Sequence, residues 1–139
     1  MGYTTGRVKL YNPRDPSRYL ELELLVDTGS TYTWVKRSRL KELGVESMGR
    51  RRFKTIENRV IEREIGECVI ECLNRRATTI VVLAEESDNE VLGLHVLEGL
   101  GLEVVPVTRQ PREVEAILAT EPYEDVILSY VIVRTVIRD

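Results

Sequence analysis

The chain has 139 residues, of which 42% are hydrophobic and 31% charged, with a net charge of −3. That length fits one domain with its own core, and the composition excludes a disordered chain. The acidic balance gives no global basic field for nucleic acid, and no run of about 18 apolar residues offers a membrane helix.

The first residues, Met1-Gly2-Tyr3-Thr4-Thr5-Gly6, lack the apolar centre of a secretion signal, so a cytoplasmic protein is expected. Arg7-Val8-Lys9-Leu10-Tyr11 alternates as a strand with one wet face does. Asn12 to Ser17 is dense in turn residues. Tyr19 to Leu24 then alternates again, with Leu20, Leu22 and Leu24 on one face. Together these predict a hairpin whose second strand runs through Leu25-Val26 into Asp27. A carboxylate at the end of a half-buried strand is expected to be half-buried itself, and to need hydrogen bonds there. Thr28, Gly29 and Ser30 offer two hydroxyls and a backbone N–H that can approach closely.

Thr31 to Val35 is β-prone, and Ser38 is placed to cap a short helix over Arg39–Leu43, with Gly44 stopping it. Gly49 to Lys54 carries four basic residues and reads as an exposed strand end or loop. Phe53 to Ile65 reads as a long hairpin with Asn58 at its tip, because Asn tolerates positive φ. Gly66 is expected to interrupt the strand before Glu67–Leu73 resumes it. Cys68 and Cys72, four apart on that strand, are too far apart to bridge easily and read as buried free thiols. Asn74-Arg75-Arg76 predicts a turn, and Ala77–Leu83, apolar on both faces, a central strand. The acidic run Glu85–Glu90 reads as a solvated loop; no metal and no cofactor is expected.

Val91-Leu92-Gly93 leads into a second short helix that Gly101 ends. Its layout echoes the strand, loop and helix ending at Gly44, a weak internal repeat. His95, the single histidine, has no Ser or Cys partner at readable spacing and reads as a helix-surface residue. Beyond it, Leu102–Val107 predicts a strand, Thr108–Pro111 a turn, and Val114–Leu118 a strand, with a helix over Glu113–Ala119 as the rival. Tyr123–Ile137 is so rich in β-branched residues that it must be covered, by the sheet or by a partner chain.

Asp27-Thr28-Gly29-Ser30, entered by an apolar run, resembles the active-site loop of aspartic proteases. Trp34-Val35 resembles the residues just after that loop in the pepsin-like version. With the long hairpin and Val91-Leu92-Gly93 in the same order, the chain resembles the single-lobe, retropepsin-like aspartic proteases over about residues 3 to 118. The resemblance implies an all-β fold: a closed acid-protease-like barrel with two short helices, one lobe that forms a two-fold dimer. It implies a protease domain over 1–119. Residues 120–139 are expected to be a C-terminal strand extension, belonging either to that domain or to the dimer interface.

The family's chemistry needs two carboxylates around one water, and this chain has only one Asp-Thr-Gly. The resemblance therefore implies a homodimeric aspartic endopeptidase acting on peptide or unfolded protein, with Asp27 of each subunit catalytic and no nucleic-acid or membrane partner. By the same resemblance Thr28 bonds across the two-fold. The Gly29 N–H bonds the Asp27 carboxylate, and Ser30 bonds its outer oxygen. Glu57, Asn58 and Arg59 form the flap tip, although retropepsin flap tips are Gly-rich and this one has no glycine. Trp34 and Gly93 are candidates for the substrate groove or an interface. The alternative is a catalytically inactive protease-fold module that dimerises and binds peptide.

Overall fold

The structure is a computed structural model and describes residues 5–105 and 132–135. These residues are mostly β-sheet, with two short helices and no helix long and apolar enough to cross a membrane.

β1 (Thr5–Asn12) and β2 (Asp15–Val26) form the expected hairpin, with Val8 opposite Leu22 and Leu10 opposite Leu20. Its turn is tighter than the run of turn residues suggests. The Asn12 side-chain oxygen accepts the N–H groups of Arg14 and Asp15, which reverses the chain within Pro13-Arg14 and lets β2 start at Asp15. The Asn12 amide also donates to the Leu43 carbonyl at 3.0 Å, so this buried polar side chain is paired at both ends.

β3 (Thr33–Lys36) runs directly into α1 (Arg37–Leu43). The helix starts two residues earlier than expected, and Ser38 is not its cap. Lys36 holds the N-cap position without a side-chain bond, while the Ser38 hydroxyl donates to Glu86. Gly44 ends the helix at φ 93°, a conformation that costs a glycine little, and Leu40 and Leu43 are buried as their spacing predicts.

β4 (Gly49–Lys54) and β5 (Val60–Cys72) make the long hairpin. Gly66 does not interrupt β5. A Cβ there would stand 2.8 Å from the Glu46 carbonyl oxygen and from Val45, so glycine permits a close crossing while the strand continues. β6 (Arg75–Ala84) pairs back on β5 through Leu73-Asn74, both at positive φ. β7 (Val91–Leu92), α2 (Leu94–Leu100) and β8 (Leu102–Val105) follow, and β8 pairs antiparallel with β9 (Ile132–Thr135). The expected turn at 108–111, the strand or helix over 113–119 and most of the 120–139 strand lie outside the described residues.

The main sheet has the order β1-β2-β7-β3-β6-β5-β4, and β1 also pairs with β5, Leu10 opposite Ile70. β6 is a central strand, with Val81, Val82, Leu83 and Ala84 buried. Where β1 meets β5, the Tyr11 hydroxyl donates to Glu71 at 2.7 Å. Arg76 donates to the same carboxylate and lies over the Tyr11 ring. These donors hold the Glu71 carboxyl below its usual range. Leu10, Leu24, Leu40, Ile70, Leu92 and Leu97 are among the largest fully buried side chains, and they gather both helices and the sheet around one core. Cys68 and Cys72 are free thiols within it, and burial pushes the Cys68 thiol up to about 12, which keeps it protonated and inert.

One detail of the topology positions the candidate site. β2 and β3 are neighbours in the chain but not in the sheet, because β7 lies between them, parallel to β2 and antiparallel to β3. The Asp27–Tyr32 connection therefore passes over the end of β7.

Candidate active site

β2 ends at Val26, paired with Leu92, and the Asp27 N–H continues that ladder by donating to the Leu92 carbonyl at 3.0 Å. The chain then turns sharply, with the Ser30 N–H donating to the Asp27 carbonyl at 3.0 Å. The Gly29 N–H donates to Asp27 Oδ1 at 2.9 Å, the bond expected of it. A Cβ at Gly29 would sit 3.2 Å from that oxygen, so the missing side chain is what lets the amide close in.

Two expectations about this loop change. Asp27 is exposed in the single chain, not half-buried, as are Thr28 and Gly29. The sheet stops at Val26 and the carboxylate projects beyond it on a turn. The Ser30 hydroxyl is also committed elsewhere, donating to the Tyr32 carbonyl at 2.8 Å instead of to the Asp27 carboxylate.

The loop is pinned from beneath. The Leu94 and His95 N–H groups, two of the donors that the start of α2 leaves without helical partners, donate to the Ser30 and Thr31 carbonyls at 2.8 and 2.9 Å. The Gly93 N–H donates to Thr33 Oγ1 at 2.9 Å, and Thr33 is only 1% exposed. Gly93 is thus a packing glycine between two backbone segments: a Cβ there would stand 2.3 Å from the Tyr32 carbonyl oxygen. Gly93, a candidate for the groove or an interface, lies beneath the Asp27 loop within the single chain.

The hairpin tip closes through a bond from the Thr55 N–H to the Arg59 carbonyl at 2.8 Å, with Asn58 at φ 67°. Glu57, Asn58 and Arg59 are all exposed, and the neighbouring Ile56 is fully so. Nearer its base the hairpin leans on β3. Phe53 packs edge-on against Trp34 at 5.1 Å and Tyr32 at 6.1 Å, and Tyr32 also meets His95 at 6.0 Å. Trp34 is therefore the half-buried β3 side chain that meets the hairpin, and His95 is an exposed helix residue against an aromatic edge. Arg51 donates to the Tyr32 hydroxyl at 2.8 Å.

The acidic loop is not simply solvated. Asp88, with 15% of its side chain exposed, accepts a two-pronged contact from Arg63 at 2.7 and 2.9 Å, and Glu90 accepts the Lys36 N–H and Arg39. The Arg63 guanidinium holds the Asp88 carboxyl below its usual range. Among the described residues, no group of three or more His, Cys, Asp or Glu side chains is arranged to hold a metal. Two surface cavities of about 640 and 480 Å³ share Gly44–Ser47 as a wall, and neither is lined by a residue of the Asp27 loop or the hairpin tip.

Sequence reasoning missed Tyr32, Thr33, Arg51 and Phe53. The signal for Thr33 was present: strand alternation puts it on the buried face with Val35, where a hydroxyl needs a partner. The same period places Arg51 and Phe53 on one hairpin face. No protein-family model matches the chain, and no curated protein matches it.

Proposed function

We propose that the chain is a homodimeric aspartic endopeptidase in which the Asp27 carboxylates of two copies meet across a two-fold axis. The observation that carries this reading is the state of Asp27. Its carboxylate accepts one backbone N–H and is otherwise open, on a loop whose backbone is bonded at several points to Leu92–His95. A carboxylate that is exposed yet rigidly held is suited to being completed by a partner. The pairing of β1 with both β2 and β5 supports reading the sheet as a closed barrel of the acid-protease type.

In such a dimer the two carboxylates would share a proton, because like charges that close cannot both ionise. One would take a proton from the attacking water, and the other would donate to the scissile carbonyl oxygen. Thr28, exposed beside Asp27, would bond across the axis. The hairpin bearing Glu57, Asn58 and Arg59 would close over an extended peptide and exclude water.

The test is hydrolysis of an unfolded protein by the purified chain between about pH 3 and 7. Asp27→Asn should lower the rate at least about a thousandfold with the circular dichroism unchanged. Undiminished cleavage by that variant would exclude the mechanism. The glycine-free tip, with Ile56 fully exposed, favours a second reading as a non-catalytic peptide-binding dimer. That reading wins if the native protein cleaves nothing and Asp27→Asn binds peptide as tightly as the native chain does.

A further inference from the structure

The hairpin from Gly49 to Arg63 carries six cations against two anions, in a chain whose net charge is −3. The cations separate by face. Arg50 is paired with Glu62 and Glu64 on the side away from Phe53, and Arg63 is paired with Asp88. Arg51 sits directly opposite Arg63 and shares the Phe53 face, the one that packs toward Tyr32 and Trp34. It is exposed and has no carboxylate within ion-pair distance among the described residues.

Its one side-chain partner is the Tyr32 hydroxyl, which accepts from it. The phenol's own proton has no acceptor among the described residues. Tyr32 in turn belongs to the Asp27 loop, since its carbonyl accepts the Ser30 hydroxyl. A guanidinium with donors to spare and a phenol O–H thus converge at the edge of that loop. Such a fork fits a carboxylate.

Resting on the endopeptidase reading, we propose that Arg51 and Tyr32 select an acidic side chain, Asp or Glu, next to the bond being cleaved. A peptide passing between the hairpin and the Asp27 loop would run beside Tyr32, and the surplus positive field of the hairpin would draw an acidic segment toward it. Both residues determine specificity; neither takes part in the proton transfers.

The test uses matched peptides that differ only in Glu, Gln or Lys beside the scissile bond. For the native chain, kcat/KM for Glu over Gln should be about ten, the size of one charge-assisted hydrogen bond at a partly exposed site. In Arg51→Gln that ratio should fall to about one, in Tyr32→Phe to an intermediate value, and in Arg51→Glu the Lys peptide should become the best of the three. Raising the salt should shrink the native ratio. Equal cleavage of the Glu and Gln peptides by the native chain would overturn the proposal and leave the endopeptidase reading intact. If no peptide is cleaved, the endopeptidase reading fails, and the same ratio is read from dissociation constants followed by Trp34 fluorescence. A tenfold preference for Glu that Arg51→Gln abolishes would still support acidic selection. A ratio near one, or no binding, would overturn it.

Discussion

Gly93 separates two backbone segments that have no room for a methyl group. A Cβ there would meet the Tyr32 carbonyl oxygen at 2.3 Å and the Ser30 carbonyl oxygen at 2.9 Å. Neither oxygen belongs to a side chain that can rotate away, so the Asp27 loop itself must move. That would stretch the bonds from the Gly93, Leu94 and His95 N–H groups, which fix the loop. Gly93→Ala should therefore cost about 1–3 kcal/mol of stability, the usual range for overpacking, and, on the endopeptidase reading, should lower cleavage by more than the loss of folded protein explains. Gly99 is the control. It lies inside α2, and a Cβ there would touch only Ala77, at an ordinary 3.8 Å. Gly99→Ala should be neutral or stabilise by up to about 1 kcal/mol, because alanine loses less backbone freedom in a helix. Urea denaturation of both variants checks the pair; a Gly93→Ala midpoint equal to the native one would show that Gly93 does not hold the loop. At this scale the Asp27-Thr28-Gly29 loop was legible, because carboxylate, glycine and their bond are sequence neighbours. The Ser30 partner was not, since a hydroxyl chooses among nearby oxygens by loop geometry that composition does not encode.

The β4–β5 hairpin owes its attitude to contacts made by distant segments. Phe53 rests on Tyr32 and Trp34, and Arg63 is clamped by Asp88, which also accepts the Glu85 N–H at 2.8 Å. Alternation and turn residues sufficed to read the hairpin and its Asn58 tip. The clamp was hidden, because it joins residues 25 apart and a run of like charges looks solvated until the strand supplying the cations is placed against it. The clamp makes stability sensitive to acid. Arg63 holds the Asp88 carboxyl below the usual value of about 3.9, so the folded state gains from its ionisation at pH values above that number. As pH falls through the lower folded-state value, Asp88 protonates and the gain disappears. Asp88→Asn should cost about 1.5–3 kcal/mol at pH 6, as expected for hydrogen bonds to a charged group. It should also make the loss of stability between pH 6 and pH 3 smaller than in the native chain. Thermal midpoints of the two proteins at both values measure this, and parallel declines would show that Asp88 contributes nothing to acid sensitivity.

At the scale of the molecule, the strand order could not be read from the chain. Period-two patterns identify strands, but not that β7 would lie between β2 and β3 or that β1 would pair with β5. Those pairings put the Asp27 loop at a sheet end with its carboxylate exposed and, among the described residues, without a second free aspartate to pair with. Asp15 is committed to Ser17 and Asp88 to Arg63, so neither is free to serve as a second acid; Asp125 and Asp139 lie outside the described residues. On the endopeptidase reading, a second copy of the chain supplies the other half of the proton-sharing pair. Mixing gives the decisive measurement. Once subunits exchange, native chain mixed with an equal amount of Asp27→Asn should retain roughly half its activity, because only native pairs hold two aspartates. A tenfold excess of the variant should leave roughly a tenth, whereas added bovine albumin should change nothing. Dilution below the dimer dissociation constant should likewise make specific activity fall in proportion to concentration. Activity that persists undiminished under excess Asp27→Asn would mean that one chain carries the whole reaction, and the shared-carboxylate mechanism would have to be abandoned.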